Sequence, residues 1–137
     1  MLEVLLSVAI VAILFSIAVP LFLTLYRRND ADTSVNAIVQ SLRRAQTLSQ
    51  AVDDDTTWGV RVQSGSITLF RGASYAARET GFDETYDLAP TITPSGLQEV
   101  VYSKFSGMPQ QTGTILLTLN SGGTRDITVN AKGTIIY

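Results

Sequence analysis

The chain has no cysteine and no histidine. It therefore has no disulfide framework, no thiol nucleophile, no Ser-His-Asp triad and no metal site built on thiolate or imidazole. The redox compartment stays open, because an exported protein can lack disulfides. Charge is also scarce: only 16% of the 137 residues are charged, ten basic against twelve acidic, for a net charge of −2. That balance argues against a nucleic-acid binder held by bulk electrostatics. No glycine-rich phosphate loop is present, since Ser121-Gly122-Gly123-Thr124 lacks the lysine and the following helix that such a loop needs. No Asn-x-Ser/Thr sequon, internal repeat or low-complexity linker occurs. The reading is of a protein that is not an enzyme and carries no cofactor and no resident metal.

The apolar excess is local. From Met1 to Tyr26 the only charge is Glu3, and residues 27–137 hold all ten basic residues and the other eleven acids. Val4 to Leu25 runs 22 residues without a charge, which as a helix would cover about 33 Å, the thickness of a hydrocarbon core. A cleaved signal peptide fits poorly, because no basic residue precedes the run and its apolar stretch is too long. A plain single-pass anchor accounts for the length but not for two details. Glu3 places an acid at the entrance of an apolar helix, where it costs free energy unless it reaches water, headgroups or a positive partner. Pro20 removes a helix hydrogen bond and crowds the preceding turn, which predicts a bend or a loosened segment from about Ser16 to Leu23.

Met1-Leu2-Glu3-Val4-Leu5-Leu6, Ala9-Ile10-Val11-Ala12-Ile13-Leu14 and Ile17-Ala18-Val19-Pro20 closely resemble the N-terminal segment of bacterial type IV pilins and pseudopilins. The separation of Glu3 from Pro20, seventeen residues, is the family's glutamate-to-proline spacing. The resemblance covers about 25 residues. It departs in carrying two residues before the glutamate where mature members usually carry four, and the basic leader is absent. The expectation is that this chain starts inside the mature protein, with Met1 an internal methionine. Basic residues in such a leader would also set the membrane orientation, against the positive-inside reading of Arg27-Arg28.

Beyond a polar neck, Arg27 to Ser34, apolar residues recur at three- and four-residue steps: Val35, Ile38, Val39, Leu42, Ala45, Leu48 and Val52. This is the stripe of an amphipathic helix. No Gly or Pro interrupts Leu21 to Val52, which predicts one long helix from the N-terminus to about residue 53, stopped by Asp53-Asp54-Asp55, whose charges oppose the helix dipole. Downstream, Trp58, Val60 and Val62 alternate with polar or small residues, and Ser64-Gly65 turns the chain into Ile67-Thr68-Leu69-Phe70. Leu97–Ser103, Thr114–Asn120, Asp126–Asn130 and Thr134–Tyr137 give four further strands, and residues 72–96 read as surface loop with one short strand near Tyr86–Leu88. The expected fold is α+β. A long N-terminal helix, apolar in its first half and kinked at Pro20, packs by its C-terminal half on an antiparallel sheet or sandwich, as in pilins. Residues 1–26 would form the membrane or filament-core helix. Residues 27–137 would form the head, with an amphipathic helix over 27–53 and β structure over 57–137.

Leu42-Arg43-Arg44-Ala45-Gln46, Trp58-Gly59-Val60 and Ile127-Thr128-Val129-Asn130-Ala131-Lys132-Gly133 are similar to the pseudopilin H and related minor-pilin subgroup. That likeness implies a β-sandwich on the helix's C-terminal half. Other features read blandly. Asp53-Asp54-Asp55 could offer oxygens to calcium, which some pseudopilins bind, but lacks the spacing and glycine of a known site and reads as a solvated face; Asp83, Glu84 and Asp87 read the same way. Arg27-Arg28, Arg43-Arg44, Lys104 and Lys132, with Tyr75 and Tyr86 for stacking, could line a DNA strip, but scattered surface cations account for them. Trp58 reads as core.

The family resemblance implies a structural subunit of a type IV pilus, assembled through its apolar helix, with Glu3 and Pro20 as the assembly residues. Its partners would be further copies of itself, other pilins or pseudopilins, a prepilin peptidase and inner-membrane assembly machinery. It would sit in the inner membrane before assembly and in a filament at the bacterial cell surface afterwards, serving motility, adhesion, DNA uptake or secretion. A minor pseudopilin of a type II secretion pseudopilus is the alternative within the family. A membrane-tethered binding module is the alternative of another class.

Overall fold

The computed structural model describes residues 1–16, 29–52, 55–120 and 122–137. By its contacts the chain divides into two compact units, Met1–Asp30 and Ala31–Tyr137.

Helical backbone falls within Leu2–Ala51, and two stretches of it are described, α1 (residues 2–16) and α2 (residues 29–51). This corrects the expectation of one long helix packed on a sheet: the N-terminal helix is only 15 residues. The sequence argument for continuity rested on the lack of a helix breaker after Leu21. Lack of a breaker permits a helix, but packing of an amphipathic face is what stabilises one. Only α2 has such a face. α1 is apolar all round and has no stripe to lay on a sheet. The predicted bend at Pro20 and the neck residues Arg27 and Arg28 lie outside the described residues.

In α2 the three- and four-residue spacing does its packing. Val35, Ile38, Val39, Leu42 and Ala45 are buried in one hydrophobic cluster with residues of both sheets. Val52 follows the last turn with φ +56, a left-handed conformation that is uncommon for a β-branched residue and that ends the helix where a glycine would usually stand. Ser49, fully buried, accepts a hydrogen bond at Oγ from the Trp58 amide at 3.1 Å and donates to the Tyr102 carbonyl at 3.2 Å. One hydroxyl thus ties the helix end to two strands.

Eight strands follow: β1 (Trp58–Gln63), β2 (Ser66–Arg71), β3 (Glu84–Asp87), β4 (Ile92–Gly96), β5 (Glu99–Tyr102), β6 (Gly113–Leu119), β7 (Thr124–Val129) and β8 (Ile135–Ile136). They form two four-stranded sheets of order β3-β2-β1-β5 and β4-β6-β7-β8, with every pairing antiparallel. Trp58, Val60 and Val62 face the common core with Ile67, Leu69, Val100 and Tyr102, and the second sheet contributes Ile92, Ile115, Leu117, Ile127 and Val129. β4 was not expected, because residues 72–96 read as loop. Its Pro94 sits opposite Leu117 on an edge strand, the place where a sheet tolerates a residue without an N–H.

The opposite face of the first sheet is also covered. Phe70 and Val101 are fully buried there, and the Tyr75 ring meets Phe70 edge-on at 5.6 Å between centroids. A substituent on Gly59 would lie 2.6 Å from the Phe70 ring. The covering segment is fastened by Arg78, whose guanidinium stacks over Tyr75 at 3.9 Å and bonds Asp83 at 2.7 Å.

Candidate assembly site

α1 begins the segment expected to carry assembly. Its Val, Leu, Ile and Phe side chains from Leu2 to Phe15 are half to four-fifths exposed, on every side of the helix. Ser7 and Ser16 turn their hydroxyls back to the carbonyls of Glu3 and Ile13, so even these polar groups are used within the helix. The Glu3 carboxylate has no hydrogen-bond or ion-pair partner among the described residues. Burying a Val, Leu or Ile side chain fully contributes about 1.5–3 kcal/mol. Covering this stretch would therefore contribute on the order of 10–20 kcal/mol. Among the described residues no helix is long and apolar enough to cross a membrane; the uncharged run Val4–Leu25 lies partly outside them, and Pro20, expected as an assembly residue, lies wholly outside them.

In the Ala31–Tyr137 unit, most charges singled out in the sequence have partners of opposite sign. Lys104 Nζ lies 3.1 Å from Asp55 Oδ1 and also donates to the Asp55 carbonyl at 3.0 Å; Asp53 and Asp54 lie outside the described residues. Asp83 accepts from Arg78, and this hydrogen bond, with the carboxylate charge, holds the Arg78 pKa above its ordinary value. Glu84 accepts from Arg44 at 2.7 Å and from the Tyr86 hydroxyl at 2.9 Å. The bond to Glu84 is the main reason the Tyr86 pKa is raised. Arg43 lies over the Tyr137 ring at 5.8 Å. Of the cations proposed for a DNA strip, Arg43, Arg44 and Lys104 are thus spread over separate ion and ring pairs, and Asp83 and Glu84 are held by different arginines. Among the described residues no group of three or more acids is placed to hold a metal. Trp58 is a core residue.

No family model, curated protein or solved structure matches this chain. The site therefore has to be read from its own geometry.

Two motif residues singled out in the sequence meet in space. Gln46 Nε2 donates to the Gly107 carbonyl at 3.1 Å, and Gly133, at the positive φ of +78, packs against the end of the Gln46 side chain, which would have to move to admit a Cβ. Gln50 reaches the Ser106 carbonyl at 3.4 Å, and the Phe105 amide donates to the Ser49 carbonyl at 3.1 Å. The polar side of α2 thus carries the loop from Ser103 to Pro109. Sequence reasoning missed this loop's central residue, Phe105, which is 72% exposed with φ +63. The turn at Gly107-Met108-Pro109 was legible, but nothing local marks a phenylalanine as left-handed.

Proposed function

We propose that this chain is a structural subunit of a type IV pilus filament, polymerising through its apolar N-terminal helix. One observation carries the reading: α1 exposes apolar side chains around its whole circumference, with the unpartnered carboxylate of Glu3 at its start. A helix that is hydrophobic all round belongs inside an apolar surround. In the proposed cycle inner-membrane lipid supplies that surround before assembly, and the helices of neighbouring copies supply it in the filament at the cell surface. Lipid tails are as apolar as leucine, so moving from one surround to the other gains little from the hydrophobic effect itself. Glu3 supplies a difference. In lipid its charge is costly away from the interface, and in the bundle it can meet a positive group on a neighbouring copy.

The test is Glu3→Ala in the exported protein. The variant should remain stable in the membrane while fibre number falls sharply; fibres of normal number and length would refute the role. A second reading, a minor pseudopilin of a type II secretion pseudopilus, draws support from Gln46 and Gly133, which belong to the subgroup-like motifs and pack together. Recovery of the chain in substoichiometric amounts with secretion components would favour that reading. A chain that stays monomeric in detergent and never enters a fibre would instead favour a membrane-tethered binding module.

A further inference from the structure

The outer face of the first sheet is apolar where an antiparallel sheet could turn polar side chains to water. Gly59, Phe70 and Val101 stand in one row across β1, β2 and β5. Phe70 and Val101 are fully buried, and Thr68 in the next row is only 4% exposed. The segment from Gly72 to Asp83 lies over this face, with its Tyr75 ring edge-on to Phe70. None of the segment's own residues is fully buried. It covers the sheet without being rooted in the core.

The bonds of this segment fall into two groups. One group closes it on itself. The Ala77 amide donates to the Ser74 carbonyl and the Phe82 amide to the Glu79 carbonyl, each at 3.1 Å. Arg78 donates to the Tyr75 carbonyl at 2.8 Å and to Asp83 at 2.7 Å, and stacks on the Tyr75 ring. Gly72, at φ +140, lets the start of the segment lie against Arg78, whose Cα would be 3.0 Å from any side chain there. The other group ties the segment to the strands. The Gly72 amide donates to the Thr57 carbonyl at 2.8 Å, the Glu79 amide to the Arg71 carbonyl at 3.0 Å, and the Tyr75 amide to Glu99 Oε1 at 3.0 Å. The other Glu99 oxygen pairs with Arg61 at 3.3 Å, and Arg61 lies over the Tyr75 ring at 5.8 Å. Arg71 lies over the Phe82 ring at 4.4 Å. The closed arrangement also carries a cost. Arg61 Nε and Asp83 Oδ1 are buried without a hydrogen-bond partner among the described residues, and opening would hydrate both.

We infer that residues 72–83 form a strap that lifts from the first sheet as one braced body while both sheets stay folded, with Glu99 as its latch. The bonds around Arg78 lie within the strap and travel with it, so opening breaks only the ties to the strands. Segments with few buried apolar contacts open at free energies well below that of global unfolding. Glu99 is the latch because one carboxylate holds both the strap's backbone, at the Tyr75 amide, and the arginine that lies over the Tyr75 ring. Opening bares Phe70 beside Arg61, so the strap gates an apolar strip that the closed head hides. The device lies within the Ala31–Tyr137 unit and stands with or without the filament reading.

Amide hydrogen exchange of the full chain in non-ionic detergent, followed residue by residue by NMR, tests the strap. The Gly72, Tyr75 and Glu79 amides should share one protection factor, about a hundredfold or more below that of the amides in the β1–β2 ladder. Glu99→Gln keeps the shape of the side chain and removes its charge. It should lower all three protection factors together by about tenfold, the loss of charge assistance at one hydrogen bond and one ion pair, and leave the ladder amides unchanged. Only the Tyr75 amide touches that carboxylate, so a common shift reads concerted opening. Tyr75→Ala leaves the latch in place and removes the ring; it should lower the Gly72 and Glu79 protection factors in step. A change confined to the Tyr75 amide in Glu99→Gln would reveal one broken hydrogen bond and overturn the inference. So would no change in any of the three, a shift of the ladder amides with them, or wild-type strap amides as slow as the ladder.

Discussion

Replacing Ser49 by alanine tests whether the end of α2 is fixed by a single buried hydroxyl. The side chain is fully buried, and its Oγ accepts from the Trp58 amide and donates to the Tyr102 carbonyl. Each such bond contributes about 0.5–1.5 kcal/mol net, and a buried carbonyl left short of a donor adds to the loss. Alanine returns a few tenths of a kcal/mol as the better helix former, so the expected cost is about 2 kcal/mol. For a cooperative unit of roughly 100 residues this corresponds to about 9 °C in Tm. Ser41→Ala is the matched control. Ser41 is also buried, but its hydroxyl bonds only the Ala37 carbonyl of its own helix, and back-bonding of this kind adds little. Urea unfolding of the full chain in non-ionic detergent can be followed by the fluorescence of Trp58, the single tryptophan, which sits at the perturbed bond. Ser49→Ala should lower the midpoint with an unchanged slope, and Ser41→Ala should leave it within about 0.5 kcal/mol of wild type. Equal effects from the two variants would refute the reasoning.

Tyr102 is buried with no hydrogen-bond partner for its hydroxyl among the described residues, and burial pushes its pKa up to about 12. The unfolded phenol ionises near pH 10. Stability should therefore be complete below pH 10 and fall by roughly 2–3 kcal/mol as the pH rises towards 12; Tyr102→Phe should remove that alkaline arm in urea titrations, and an arm that persists would count against it. Gly59→Ala should destabilise by about 2–3 kcal/mol, because the added carbon would lie 2.6 Å from the Phe70 ring and 2.9 Å from the Val100 carbonyl oxygen; a Tm within 2 °C of wild type would show that the ring yields. Deleting residues 1–26 should leave a soluble monomer that melts cooperatively and forms no fibres, since the core cluster begins at Val35. An unfolded fragment would mean that another copy completes the head, and a fragment that still polymerised would move assembly to the β-rich unit.

What the sequence made legible is what short-range periodicity controls. The apolar stripe from Val35 to Ala45 is buried at the positions its spacing indicates, and the β1–β2 hairpin turns at Ser64-Gly65. Period is set by local geometry, so it survives any choice of partner. β4 escaped because Pro94 reads as a strand breaker, and only its edge position makes it harmless. The single long helix failed for a related reason: a run without breakers describes what a chain can do, and packing decides what it does. Ser49, Gln46 and Phe105 were illegible because their roles are set by residues about 50 to 60 positions away. Of the proposed assembly site, Glu3 and the first part of the apolar segment lie among the described residues, whereas Pro20 lies outside them.

The apolar surface of α1 and its single acid divide the proposed work of assembly between cohesion and register. Covering α1 hides a large apolar surface, in lipid or in a fibre alike, but the hydrophobic effect is non-directional and depends on area. A helix whose exposed surface is valine, leucine, isoleucine and alanine on every side offers nearly the same burial after a small slide or rotation against its neighbours. Such a surface makes subunits cohere without fixing their order. Order needs features that occur once per chain and are costly to misplace. Glu3 is one, since a slide of one turn would bury its charge among aliphatic side chains. Glu3→Gln should therefore do more than thin the fibre population. Among the fibres that still form it should broaden the distribution of helical twist, and uniform twist in the variant fibres would show that the acid does not set the register.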